Sequence, residues 1–176
     1  MSSKINVFFI ISGHIKTLKS AGETRLNMPD IITFFVIPSL VSGIGIYCDF
    51  PLNEALVSIL INFGSIFTAL LFSVLVLIYD QENKLLEQER DGAVINYLEV
   101  KKRVLKQLYF NISYCIVNSM ALVVTATAGL IMENYKILEL SVNSYFFAPI
   151  CIFISLNLVF TILMIVKRMH SLLTSN

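Results

Sequence analysis

This chain of 176 residues contains no tryptophan, only four prolines and three cysteines. Charge is also scarce, at 14% of residues, where soluble domains carry about 25%. Cys48, Cys115 and Cys151 are too few and too scattered for a disulfide framework or a zinc site. The last two lie inside apolar runs, where a small buried hydrophobe is the ordinary reading.

The most informative absence is local. Four stretches hold no Asp, Glu, Lys, Arg or His: "IITFFVIPSLVSGIGIYC" (31–48), "ALVSILINFGSIFTALLFSVLVLIY" (55–79), "LYFNISYCIVNSMALVVTATAGLIM" (108–132) and "SYFFAPICIFISLNLVFTILMIV" (144–166). Each is about the length of a bilayer crossing, roughly 20 residues. Proton-coupled transporters need ionisable groups at membrane depth, and the small four-helix drug exporters depend on an embedded acid. Neither class fits. Catalysis lacks material as well, because there is no glycine-rich phosphate loop, metal cluster or nucleophile elbow. His14 and His170 have no carboxylate or thiol at useful spacing. The sequence predicts neither an enzyme nor a bound cofactor.

What is present is 56% hydrophobic residues and a sharply one-sided distribution of cations. Of 13 Lys and Arg residues, only Lys136 falls on the far side of the four runs. The others lie in the N-terminal segment, in the stretch between runs two and three, or in the tail. Positive charge is retained on the cytoplasmic face, so both termini and the middle segment are expected there. Tyr47, Phe50 and Tyr145–Phe147 then mark the outer boundary, Tyr79 and Tyr109 the inner one. The expected organisation is all-α and polytopic. Residues 1–28 form a cytoplasmic or interfacial amphipathic segment, 29–166 a four-helix transmembrane domain with a cytoplasmic helical hairpin at 80–106, and 167–176 a cytoplasmic tail. The first span holds Pro38, Gly43 and Gly45 and is expected to kink or to pack closely. Ile5, Phe8, Ile11, Ile15 and Leu18 recur at steps of three and four, as in a helix lying along the inner interface; a flexible arm or a docking strand is the alternative.

The middle segment sorts its charge, acids mostly before Asp91–Gly92 and bases mostly after. Gly92 is a helix-stop signal. A hairpin folded there brings Asp80 and Glu82 towards Lys106, Arg103 and Lys102, with Glu99 reaching Arg103 along its own helix. Lys101, Lys102, Arg103 and Lys106 are candidate contacts for a phosphate-bearing ligand or an acidic partner, or simply a solvated connector that topology requires to be basic.

Two spans carry uncharged polar stripes. Ser58, Asn62, Ser65, Ala69 and Ser73 line one face of span two, and Asn111, Tyr114, Asn118, Ala121, Thr125 and Gly129 one face of span three. Span four adds Asn157 and Thr161. Such faces pack helices together, or line a water-filled path at the axis of an oligomer, with Phe67, Leu71 or Phe72 as an apolar gate.

With its span count, its cytoplasmic ends and the charged hairpin "YDQENKLLEQERDG", the layout resembles the small four-pass membrane components of bacterial anti-phage systems such as Hailong and Kiwa. That resemblance implies an inner-membrane homo-oligomer acting on the bilayer, or sensing its perturbation, under control of a cytoplasmic protein partner or an (oligo)nucleotide ligand. Four-pass immunity proteins against pore-forming bacteriocins are similar in length and topology. A membrane-anchored scaffold that recruits a soluble effector is the remaining reading of the hairpin.

Overall fold

A computed structural model describes residues 6–18, 28–90, 95–132, 136–137 and 140–174. Four of its helices are long and apolar enough to cross a membrane: Met28–Tyr47, Glu54–Arg90, Leu98–Ile131 and Asn143–His170. The all-α, multi-span architecture is therefore as expected, apart from a two-rung β ladder that pairs Lys136–Ile137 with Leu140–Ser141 in the last connection. The turn expected at Asp91–Gly92 lies outside the described residues.

Helix α1 (Phe8–Thr17) precedes the spans. The first span is assembled from α2 (Met28–Ile31), a π-helical turn (Ile32–Val36) and α3 (Ile37–Tyr47). Pro38 accounts for that irregularity. It has no amide hydrogen, so the carbonyl of Phe34 loses its helical donor, and a wider turn precedes the proline. The span ends cleanly. Phe50 N donates to Gly45 O at 3.0 Å and Asp49 N to Ile46 O at 3.1 Å, with Asp49 left-handed at φ 47°. This is a Schellman stop with aspartate in the place glycine usually takes.

Helix α4 (Glu54–Arg90) starts on an asparagine cap, Asn53 Oδ1 accepting from Leu56 N at 2.9 Å. Its buried residues are Val57, Gly64, Leu71, Ile78 and Leu85, spaced by sevens. The facing helix α5 (Ile95–Ile131) buries Leu98, Leu105, Ile112, Ser119 and Ala126 in a matching row. Heptads on antiparallel helices give a coiled-coil seam. Gly64 is where the backbones come closest: a Cβ there would meet Val123 Cγ2 at 2.8 Å and the Ser119 carbonyl at 3.0 Å. Each helix has 37 residues, about 55 Å of axial length against roughly 30 Å of hydrocarbon. Each helix is therefore longer than one crossing requires.

Helix α6 (Ala148–Thr174) follows a second π-helical turn, Asn143–Phe147. It packs between α5 and α3, while α4 packs extensively only against α5. The helices thus form an open row, α4–α5–α6–α3, with α1 laid on α5. Exposure follows from that order. In the most apolar window of α4 11% of residues are buried, compared with 33% in the corresponding windows of the third and fourth spans.

Candidate functional site

Asn157, on α6, is buried at mid-span and engaged by three partners. Its amide Nδ2 donates to the Phe34 carbonyl at 2.9 Å, the acceptor that Pro38 leaves free. Its Oδ1 accepts from the Tyr114 hydroxyl at 2.8 Å and from Asn118 Nδ2 at 3.2 Å. One asparagine therefore ties the proline break of the first span to the polar face of α5. Inside an apolar bundle such a group is tolerated only when it is satisfied.

A second cluster begins one ring away. His14 stacks on Tyr114 with centroids 3.9 Å apart and the planes nearly parallel, and its Nδ1 donates to Asn111 Oδ1 at 2.9 Å. A carboxamide oxygen has no hydrogen to give, so Nδ1 carries the proton of the neutral ring. The Thr17 hydroxyl lies 2.7 Å from both the His14 carbonyl and Asn111 Oδ1. Arg168 Nη2 donates to the Thr17 carbonyl at 2.7 Å. Burial holds the His14 pKa down at about 4, against an ordinary 6.5, outweighing the raising effect of the Asn111 bond. Two donors of this cluster, Asn111 Nδ2 and Arg168 Nη1, are buried without an acceptor among the described residues.

Helix α1 is consequently docked, and by an unexpected face. Gly13, His14 and Thr17 are buried, whereas Phe8 and Phe9 are 66% and 68% exposed. Of the expected apolar stripe Leu18 is buried, while Ile11 and Ile15 are only half-buried. His14 also has partners the sequence did not disclose, since an asparagine 97 residues away leaves no local pattern.

The two polar stripes separate. On α5, Asn111 and Asn118 are engaged as described, and the Thr125 hydroxyl bonds the Ala121 carbonyl at 2.8 Å and lies 3.6 Å from Cys151 Sγ. On α4, Ser58, Asn62, Ser65, Ala69 and Ser73 are all exposed, on the side turned away from α5. Ser73 is bonded to the Ala69 carbonyl at 3.3 Å. Of the three apolar residues considered for a gate, Leu71 is buried in the seam, Phe67 is half-buried and Phe72 points outward.

The basic residues also separate. Asp80 pairs with Lys84 at 2.8 Å, one turn along α4, rather than with Lys106; Lys102 bonds Glu89 across the hairpin. The expected facing of Asp80 and Glu82 with Arg103 and Lys106 fails because of helical face. Residues 103, 106, 107 and 110 share one side of α5, and that side belongs to α1. Arg103 and Lys106 line a cavity of about 370 Å³ with Phe9, Gly13, Lys16 and Phe110. Lys101 lines a different one, of about 430 Å³, beside Lys84 and Leu105. All three cysteines are free, Cys115 and Cys151 being buried. Among the described residues no group of His, Cys, Asp and Glu is placed to hold a metal.

The class that this fold and these buried polar contacts define is the all-α, multi-span membrane protein. No family model, curated protein or solved structure matches the chain.

Proposed function

We propose that this protein is a homo-oligomeric, channel-like effector of the bacterial inner membrane, with both termini and the α4–α5 hairpin in the cytoplasm. The observation that carries the reading is the uncovered polar face of α4. Lipid offers hydrogen-bond partners to none of Ser58, Asn62, Ser65 or Ser73, and an unsatisfied amide such as that of Asn62 is expensive in hydrocarbon. Small hydroxyls can fold back on their own helix, as Ser73 does; an asparagine needs a neighbour or water. Subunits meeting along this face supply one or the other, and the wetted side of α4 becomes the lining. Such a path is uncharged and therefore weakly ion-selective, with Phe72 placed to narrow it. Asn111, Asn118 and Thr125 take no part, being committed within the subunit.

Control enters from the cytoplasm, where the hairpin arms rise above the bilayer and present Lys101 and Lys102 on the α4 side, and Arg103 and Lys106 on the α1 side, to a partner protein or a phosphorylated ligand. The likeness of layout to anti-phage membrane components makes loss of the membrane barrier the physiological output. Single cysteines at Ser58, Ser65 and Ser73, in a background lacking the native thiols, are expected to cross-link between subunits. The same protein in liposomes is expected to pass small ions. Absence of both intersubunit cross-links and flux would remove this reading. The projecting hairpin also suits a membrane-anchored scaffold without a pore, for which reversal of Lys101, Lys102 and Arg103 to Glu should abolish co-purification of a soluble partner.

A further inference from the structure

The cavity between α1 and α5 surrounds Arg103 and Lys106, which the proposed function offers to a cytoplasmic ligand, with groups that neither the channel reading nor the scaffold reading uses. Its floor is aromatic, Phe9 and Phe110 meeting edge to face with centroids 5.6 Å apart. Its rim carries three cations from two helices: Lys16 of α1, and Arg103 and Lys106 of α5. Among the described residues none of the three is paired with a carboxylate. Ser12, Thr17 and Gln107 add neutral hydrogen-bonding groups to the wall. Thr17 belongs as well to the donor-rich cluster in which Asn111 Nδ2 and Arg168 Nη1 still lack acceptors. Gly13, in the cavity wall, is where α1 comes closest to α5. A Cβ there would lie 2.2 Å from the Phe110 ring, so any larger residue would hold α1 away from α5.

Three cations with no carboxylate partner among the described residues, over an apolar floor and with hydroxyl and amide donors between them, ask for one kind of ligand: a phosphate-bearing anion with a greasy flank. Position specifies the source. Tyr109 and Phe110 sit where α5 enters its apolar run, and α1 leaves Phe8 and the free side of Phe9 exposed, as an interfacial helix does. A cavity opening at that depth faces lipid headgroups. We propose that it is a binding site for the phosphate of an anionic phospholipid headgroup, which bridges α1 to α5 and so holds the N-terminal helix on the bundle. The site stands independently of whether the protein conducts.

The test uses the full chain purified in mixed micelles at fixed ionic strength. Binding is read by native mass spectrometry and by thermal unfolding. The probes are short-chain phosphatidylglycerol, short-chain phosphatidylcholine and soluble glycerol phosphate. Phosphatidylglycerol is expected to bind at least tenfold more tightly than phosphatidylcholine. Lys16→Gln, Arg103→Gln and Lys106→Gln are each expected to weaken it about fivefold, whereas Lys167→Gln, a cation outside the cavity, should leave it within twofold. All four positions are exposed, so neutral substitutions leave the core intact. If glycerol phosphate matches the lipid, phosphate recognition holds and the occupant is a soluble ester. Equal affinity for anionic and zwitterionic lipid, or an equal loss in Lys167→Gln, would overturn the site, since general surface charge would then account for the binding.

Discussion

Replacing Asn157 with leucine tests the idea that a side chain on α6 completes a helix broken by proline on the first span. Leucine is of similar size, so the cost is polar rather than steric. Three hydrogen bonds go, at 2.9, 2.8 and 3.2 Å. Such bonds average about 0.6 kcal/mol each inside a membrane, or roughly 2 kcal/mol together. The stranded Phe34 carbonyl adds an unsatisfied buried acceptor, worth about 1 kcal/mol or more. The expected loss is therefore about 3 kcal/mol, measured as a shift of the unfolding midpoint in mixed micelles titrated with dodecyl sulfate. The discriminating step is a double-mutant cycle. Pro38→Ala restores a backbone N–H four residues after Phe34, which returns a helical donor to that carbonyl. In the Pro38→Ala background, Asn157→Leu should cost about 1 kcal/mol less. Additivity within about 0.3 kcal/mol, the behaviour of independent sites, would refute the argument that Asn157 substitutes for the missing amide.

Three further outcomes follow from the packing. His14 docks as the neutral ring with its pKa lowered to about 4, so the undocked helix binds the additional proton between pH 4 and 6.5; docking is fully stable above pH 6.5 and weakens as pH falls towards 4. At pH 5 the loss is about 2 kcal/mol, seen as roughly thirtyfold less hydrogen-exchange protection of the α1 amides than at pH 7.5 once intrinsic rates are divided out; a flat ratio, or the same slope in His14→Gln, would count against it. Gly64→Val should destabilise by about 2 kcal/mol or more, because the added carbons meet the Ser119 backbone. Gly43→Ala, with nothing within 4 Å of its Cβ, should stay within about 0.5 kcal/mol of the parent, both read in the same unfolding titration.

Much of the architecture could be read from one dimension because it rests on periodic signals. Each uncharged run coincides with one of the four helices long and apolar enough to cross a membrane, two of which extend well past it, and the rows Val57–Leu85 and Leu98–Ala126 repeat every seven residues because a supercoiled seam requires it. The site was legible only in part. Asn111 and Asn118 were marked as one polar face, yet nothing local showed that Asn157 and His14 would occupy it, since each contact joins residues tens of positions apart. The direction of the α4 stripe was likewise undetermined, because a helix with one neighbour and a helix with three carry similar sequences in lipid. The charge sorting was visible, but pairing across the hairpin depends on which side of α5 each base occupies. There the docking of α1 decides, and the residues that α1 and its C-cap bury are glycine, histidine, threonine and Leu18 rather than the phenylalanines.

Helix α4 runs without a break from Glu54 to Arg90, with no proline and one glycine, itself clamped in the seam. It has no joint at which to flex. Something that grips the exposed Arg90 end of α4 therefore holds a stiff lever rather than a tether. A sideways pull of 5 Å at Arg90 swings a rod of about 55 Å through about 5°, and the row of serines at its far end must swing with it.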